Sequence, residues 1–237
     1  MTAHVLSLVD VCAGHNHRAV VQGISLSVES GELVALSGAN GVGKSTLLHC
    51  IAGRIPVLEG TILLDGKQLP RKLERRARSG IVLVPEERSV FRSLTVEENL
   101  RMSGRKPDTL LSIFPELGDH LRRPAGLLSG GQQQMLSLAR ALGCEPKFLL
   151  IDELSLGLAP LAVGRLLDGL KTTVMSRGTG VLLVEQHVRR ALSVVDRGYV
   201  LGGGRIVMSG TANHLRDNMD EIEKNYLGPI ERDGSGF

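Results

Sequence analysis

Apolar residues follow two rhythms along this chain. Residues 5–11, 22–28 and 61–64 alternate apolar with polar positions and are rich in β-branched types, which predicts half-buried strands. Turns are expected at 14–18 and 29–31. Residues 32–37, 81–84, 148–151 and 180–185 are instead short, nearly continuous apolar runs. They are interleaved with segments of helical period: Leu47, Leu48, Ile51 and Ala52, then 159–176 and 188–195. That βαβ rhythm predicts a largely parallel sheet covered on both faces. Residues 199–201 and 205–208, joined through Gly202-Gly203-Gly204, predict a hairpin.

Between Pro85 and Leu128 the rhythm changes. Val96, Leu100, Leu110, Leu111, Ile113 and Phe114 suggest short helices broken at Pro107, Pro115 and Pro124. Together with a helix opening near Ser129 and running over 133–142, this reads as a helical insertion. The expected organisation is one α/β domain, with residues 1–84 and 143–237 as core and β subdomain and 85–142 as a helical subdomain. The polar, glycine-containing stretch 228–237 reads as a mobile tail.

Composition narrows the classes. With 237 residues, 42% hydrophobic and 22% charged, the chain is an ordinary globular protein. A net charge of +3 and an absence of Trp argue against a nucleic-acid partner. Three scattered cysteines, Cys12, Cys50 and Cys144, show no metal-ligand spacing and read as small buried hydrophobes in a reducing compartment. No secretory leader is expected, and no apolar run approaches the ~20 residues that span a bilayer. Action at a membrane therefore requires a partner.

Two glycine-rich segments carry candidate chemistry. Gly38-Ala39-Asn40-Gly41-Val42-Gly43-Lys44-Ser45-Thr46 lies between an apolar strand and a helical pattern. Its glycines let backbone N–H groups curve into an anion nest, Lys44 reaches the β- and γ-phosphates, and Ser45 is placed to hold Mg²⁺. Asp152 and Glu153 end the strand 148–151, where a Mg²⁺-holding carboxylate and a water-polarising one belong beside such a loop. Leu128-Ser129-Gly130-Gly131-Gln132 is the second segment. Ser129 is a natural N-cap. Two successive glycines at a helix start cost about 1 kcal/mol each relative to alanine, which makes sense where an anion must approach the backbone. Two separate cradles suggest two protein surfaces closing on each nucleotide.

In order and spacing, the phosphate loop, LSGGQ and FLLIDE resemble the nucleotide-binding subunits of ABC transporters, over nearly the whole chain. Val84-Pro85-Glu86, Val96-Glu97-Glu98-Asn99-Leu100, Ser155-Leu156-Gly157-Leu158-Ala159-Pro160 and Val184-Glu185-Gln186 narrow the resemblance to the smaller ATPase subunit of branched-chain amino acid uptake systems. The resemblance implies a P-loop NTPase core of RecA-like α/β type, with an antiparallel β subdomain and an inserted α-helical subdomain. It implies ATP and Mg²⁺ as cofactors, Glu153 with Glu86 and Gln186 in hydrolysis, and Ser45, Asp152 and Glu86 at the metal. It implies a head-to-tail dimer in which Ser129, Gly130, Gly131 and Gln132 cover the ATP held by the other chain. The partners it implies are integral-membrane permease subunits, a second ABC ATPase subunit, identical or related, and indirectly an extracytoplasmic solute-binding protein. The implied location is cytoplasmic, on the inner face of the cell membrane, with a permease helix received between core and helical insertion near Glu86.

Several positions depart from the wider family. Glu86 stands where Gln is usual, Gln186 where a switch His is usual, and Ala159 where Asp is usual; the branched-chain subgroup shares all three. Gln186 can hydrogen-bond a γ-phosphate oxygen but carries no proton. His187 is one position out of register, and reads either as a substitute or as a loop histidine. Leu154 replaces a proline. His15 occupies the place of the adenine-stacking Tyr, and is either a smaller stacking surface or an ordinary turn residue. The basic stretch 67–92, with Arg71, Lys72, Arg75, Arg76 and Arg78, reads as a solvated amphipathic face or as a contact for lipid headgroups or an acidic loop. The function expected is ATP hydrolysis that energises an importer. A regulatory subunit with weak hydrolysis and a non-transport ABC ATPase are the alternatives.

Overall fold

A computed structural model describes residues 3–87, 89–155, 158–186 and 188–227. The tail expected at 228–237 and His187 lie outside the described residues. Strands β1 (Val5–His15) and β2 (Arg18–Glu29) are followed by β3 (Leu33–Gly38), helix α1 (Lys44–Ala52), β4 (Val57–Leu64) and β5 (Lys67–Gln68). Next come α2 (Leu73–Arg78), β6 (Ile81–Val84), α3 (Val96–Arg101), α4 (Pro107–Leu111) and 3₁₀ turns at Pro115–His120 and Ala125–Leu127. The chain continues through α5 (Gly130–Gly143), β7 (Phe148–Asp152), α6 (Pro160–Arg177), β8 (Gly180–Glu185) and α7 (Val188–Ala191). It finishes with β9 (Arg197–Gly202), β10 (Arg205–Thr211), α8 (Ala212–Asp217) and α9 (Met219–Leu227).

The apolar runs assemble as their pattern predicts. A six-stranded sheet has the order β10-β9-β3-β8-β7-β6, parallel throughout except for the edge strand β10. Its central strands are buried residue by residue, and successive residues feed two different cores. Leu33, Ala35, Leu149, Ile151, Val181 and Leu183 face a core shared with α5 and α6. Val34, Leu36, Leu150, Leu182 and Val184 face a core shared with α1 and an antiparallel sheet of order β2-β1-β4-β5. Arg197 on β9 ties the two sheets together: it pairs with Glu32 and donates to Ser27 O (2.8 Å) and Tyr199 Oη (2.6 Å). No helix among the described residues is long and apolar enough to cross a membrane.

Local differences from the sequence reading have physical causes. The first hairpin turn is shorter than 14–18: β1 runs to His15, pairs it with Arg18, and leaves only Asn16 and His17, both at positive φ (50° and 60°). Pro107 and Pro115 start helical turns rather than break them, because an N–H in the first turn makes no intrahelical hydrogen bond for proline to forfeit. Helix α7 stops at Ala191; residues beyond it close in tighter turns, with Ser193 N–H donating to Arg190 O and Val194 N–H to Ala191 O. The short elements β5, α2 and α8 carry too few residues to stand out in the sequence.

Helix α2 also corrects the reading of the basic stretch. Arg71, Lys72, Arg75 and Arg78 are exposed, but Arg76 is only 3% exposed. Its guanidinium donates to Cys50 O (2.6 Å), Ile51 O (2.8 Å) and Pro70 O (2.6 Å). Arg76 thus caps the C-terminal carbonyls of α1, where a cation also complements the helix dipole. Replacing Arg76 with Ala should strand these carbonyls and cost about 2–4 kcal/mol of unfolding free energy, read from urea midpoints. Arg75→Ala, on the exposed side of the same helix, should change stability by no more than about 0.5 kcal/mol.

Candidate functional site

The candidate residues gather at the carboxyl ends of four adjacent parallel strands. The phosphate loop follows β3, Gln186 follows β8, Asp152 ends β7, and Glu86 follows β6 by two residues. This is where a parallel α/β sheet opens a crevice for ligands. A cleft of about 400 Å³ there is lined by Asn40, Gly41, Gly43, Lys44, Ser45 and Thr46 together with Glu86, Glu153 and Gln186. Gly38, Ala39 and Val42 complete the loop behind that lining. His15 stands exposed at the end of β1, outside the lining.

Two glycines explain the loop's sequence. Gly43, the residue before α1, sits at φ 106°, and a Cβ there would lie 2.4 Å from Val21 Cγ1. A Cβ on Gly38 would meet Leu201 O at 2.7 Å. No side chain caps α1, so its first N–H groups point along the loop into the cleft. The Lys44 ammonium donates to Gly38 O (2.8 Å) and Ala39 O (3.0 Å), which folds the loop over the start of its own helix.

The electrostatics oppose one another. Burial lowers the Lys44 pKa, while Glu153, Asp152 and Glu185 pull it back up. Burial raises the Asp152 pKa, against a hydrogen bond from Ser45 and the nearby His49; Glu86 raises it further. Asp152 Oδ1 has no hydrogen-bond partner. Among the described residues no group of three or more His, Cys, Asp or Glu could cage an ion. Mg²⁺ does not need such a cage: it keeps several waters and takes one or two carboxylates plus substrate phosphates. A buried carboxylate with an unused oxygen, hydrogen-bonded to the Ser45 hydroxyl, fits that donor set.

Glu153 adopts a left-handed backbone, φ 47°, with its N–H donating to Val184 O (3.1 Å). For a non-glycine residue this conformation costs about 1–2 kcal/mol, and such strain clusters at functional sites. The carboxylate that holds this turn was missed in the sequence. Glu185 is buried and accepts from Ser155 N–H (3.0 Å) and Ser155 Oγ–H (2.8 Å). It ties the loop after Glu153 to the strand that leads to Gln186. The available signal was an acidic residue closing a wholly apolar strand, the same signal that marked Asp152.

Ser129, Gly130, Gly131 and Gln132 lie outside the cleft lining, at the start of α5. Ser129 is the N-cap and forms a reciprocal capping box with Gln132. A Cβ on Gly131 would sit 2.9 Å from the Cβ of Ala162 on α6, so close helix packing also calls for glycine there.

Comparison with known proteins agrees with this geometry. The ABC transporter family matches residues 21–155. The chain is 42% identical over 215 residues to the high-affinity branched-chain amino acid transport ATP-binding protein BraG of Pseudomonas aeruginosa, covering 86% of this chain and 91% of that protein. It is 34% identical to the lipopolysaccharide export system ATP-binding protein LptB of Haemophilus influenzae, covering 94% and 97%. The solved structure of an ATP-binding subunit of an ABC transporter superposes with a TM-score of 0.81 at 29% identity, covering 94% of this chain and 99% of that one.

Asp152 offers a test with a definite sign. Its folded pKa is raised, so in the metal-free chain the penalty is absent below the ordinary carboxylate pKa of about 4 and grows as pH rises through the folded value. Asp152→Asn should therefore raise the urea midpoint of the metal-free chain at neutral pH. The gain should shrink as pH falls toward about 4, and added Mg²⁺ with nucleotide should stabilise the wild type and not the variant.

Proposed function

Since the chain belongs to the ABC transporter family as an ATP-binding, ATP-hydrolysing subunit, we propose that it powers amino acid import by a membrane permease, with branched-chain or related amino acids as the solutes. The observation that carries the hydrolytic assignment is the single cleft in which the phosphate loop meets Glu86, Glu153 and Gln186. Lys44 and the loop N–H groups neutralise the phosphates. Ser45 and Asp152, with Glu86 beside them, would hold Mg²⁺, which would screen the phosphate charge. Glu153 orients the attacking water, and Gln186 donates to a γ-phosphate oxygen.

The signature segment supports a two-chain arrangement, since Ser129 to Gln132 contribute nothing to the cleft of their own chain. They would close over the nucleotide of a second ATPase subunit, identical or related. The permease contact is assigned to the groove between β6 and α5, about 160 Å³, lined by Val84, Met102, Ser103, Arg140 and Cys144 among others. Met102 exposes apolar surface there, and the guanidinium of Arg140, which lines the groove, lies 4.7 Å over the ring of the exposed Phe91. A short helix of the permease with an apolar face would fit that surface, and such contact would hold the chain at the inner face of the membrane. The amino acid assignment rests on the likeness to BraG. The likeness to LptB favours a second reading, in which the same ATPase serves lipopolysaccharide export.

Glu153→Gln should lower Mg-ATP turnover by about 100-fold or more while ATP drives the variant into a stable dimer, measured by phosphate release and by size-exclusion chromatography. Turnover equal to wild type would refute the role of Glu153. A variant that stays monomeric with ATP would refute the two-chain arrangement. Reconstitution with the permease subunits, and uptake of labelled leucine or valine into vesicles, separates the amino acid reading from the export one.

A further inference from the structure

The start of α5 is held by a contact from outside its own turn. Ser129 Oγ accepts from Gln132 N–H (3.3 Å), and Gln132 Oε1 accepts from Ser129 N–H (3.0 Å). The second bond fixes which way the Gln132 amide faces, because a backbone N–H can only donate and so must meet the amide oxygen. The amide nitrogen is thereby turned toward His120, the last residue of the 3₁₀ turn Pro115–His120, with Nε2 to Nε2 at 2.8 Å. An amide nitrogen only donates. In this contact His120 Nε2 is therefore the acceptor.

We propose that His120 is a positioning residue for the signature segment: as a hydrogen-bond acceptor it fixes Gln132, and through Gln132 the capping box that shapes Ser129, Gly130 and Gly131. The inference rests on the two-chain reading above and deepens it, since these residues are the ones that would meet the second chain's ATP. An anchor is needed here. Ser129 is exposed and the next two residues are glycines, so the segment's shape rests on side-chain braces: His120 on Gln132, Ala162 against Gly131, and Gln133 Nε2 donating to Ala125 O (3.1 Å) and Leu128 O (3.3 Å). His120 is itself fixed, by Pro115 at the start of its turn and by Arg123 N–H donating to His120 O (2.8 Å).

The test reverses the polarity of each partner. His120→Arg puts a donor-only group opposite the Gln132 amide nitrogen. Gln132→Glu supplies an acceptor there while its second oxygen still accepts from Ser129 N–H. His120→Arg should speed amide exchange of residues 128–135 in the free chain about tenfold. It should lower kcat about fivefold, leaving the ATP affinity of the free chain within about twofold of wild type. Adding Gln132→Glu should slow the exchange of residues 128–135 about threefold or more relative to His120→Arg alone. Unchanged exchange in His120→Arg, or a double variant whose exchange is no slower than that of His120→Arg, overturns the proposal. Exchange restored in the double variant, with Glu153→Gln failing to dimerise on ATP, upholds the contact and overturns the two-chain reading instead.

Discussion

The site depends on four parallel strands ending in step. Ser37 pairs with Glu185, Asp152 with Val184, and Val84 with Ile151, so the loop after β3, Gln186, Asp152 and Glu86 emerge along one crevice. The cores on the two faces of the sheet hold that register. A slip of one residue would exchange the side chains packed on α1 and the antiparallel sheet with those packed on α5 and α6. It would also turn Asp152 and Glu185 into the wrong layer. Packing distant from the nucleotide thus decides which carboxylates reach it.

Within the crevice the acidic groups outnumber the basic ones. One buried lysine faces Glu153, Asp152 and Glu185, and burial works against the charged forms of Lys44 and Asp152. Paired this way, neither Lys44 nor Asp152 is satisfied by the protein alone. Lys44 spends its protons on carbonyls of its own loop, and Asp152 keeps an oxygen with no partner. Bringing an anion to the lysine and a cation to the aspartate relieves both at once, which is what a metal–nucleotide complex supplies. Glu153, in its left-handed turn, is poised beside them by the backbone bond to β8 and by the hold of Glu185 on Ser155. Strain of that kind persists only where the surroundings over-determine it.

Much of this was legible in the sequence, where residue type and period carry the information. Continuous apolar runs marked the doubly covered strands, and the glycine spacing marked the loop after β3. What stayed hidden depends on tertiary contact. Nothing in the six-residue α2 distinguishes Arg76 from Arg75, yet one caps a helix and the other meets water. Proline both breaks and begins helices, so Pro107 and Pro115 could not be assigned from type alone. A glutamate gives no sign that it will adopt positive φ, as Glu153 does. His120 and Gln132 lie twelve residues apart across two turns, and their hydrogen bond belongs to no local pattern.

The two cradles differ in a way that bears on how each is used. Helix α1 begins at Gly43 with no side-chain cap, and its open N–H groups face a cleft already furnished with a lysine and three further polar side chains from other strands. A phosphate can complete that helix from within the same chain. Helix α5 begins at Ser129 with a full capping box and an anchoring histidine, outside any such cleft. An exposed helix start that must hold its shape alone needs a cap of its own, or its first turn frays. A helix start completed by its own chain's ligand does not. The difference in capping therefore separates a cradle that works within the chain from one prepared in advance for a surface that arrives from outside.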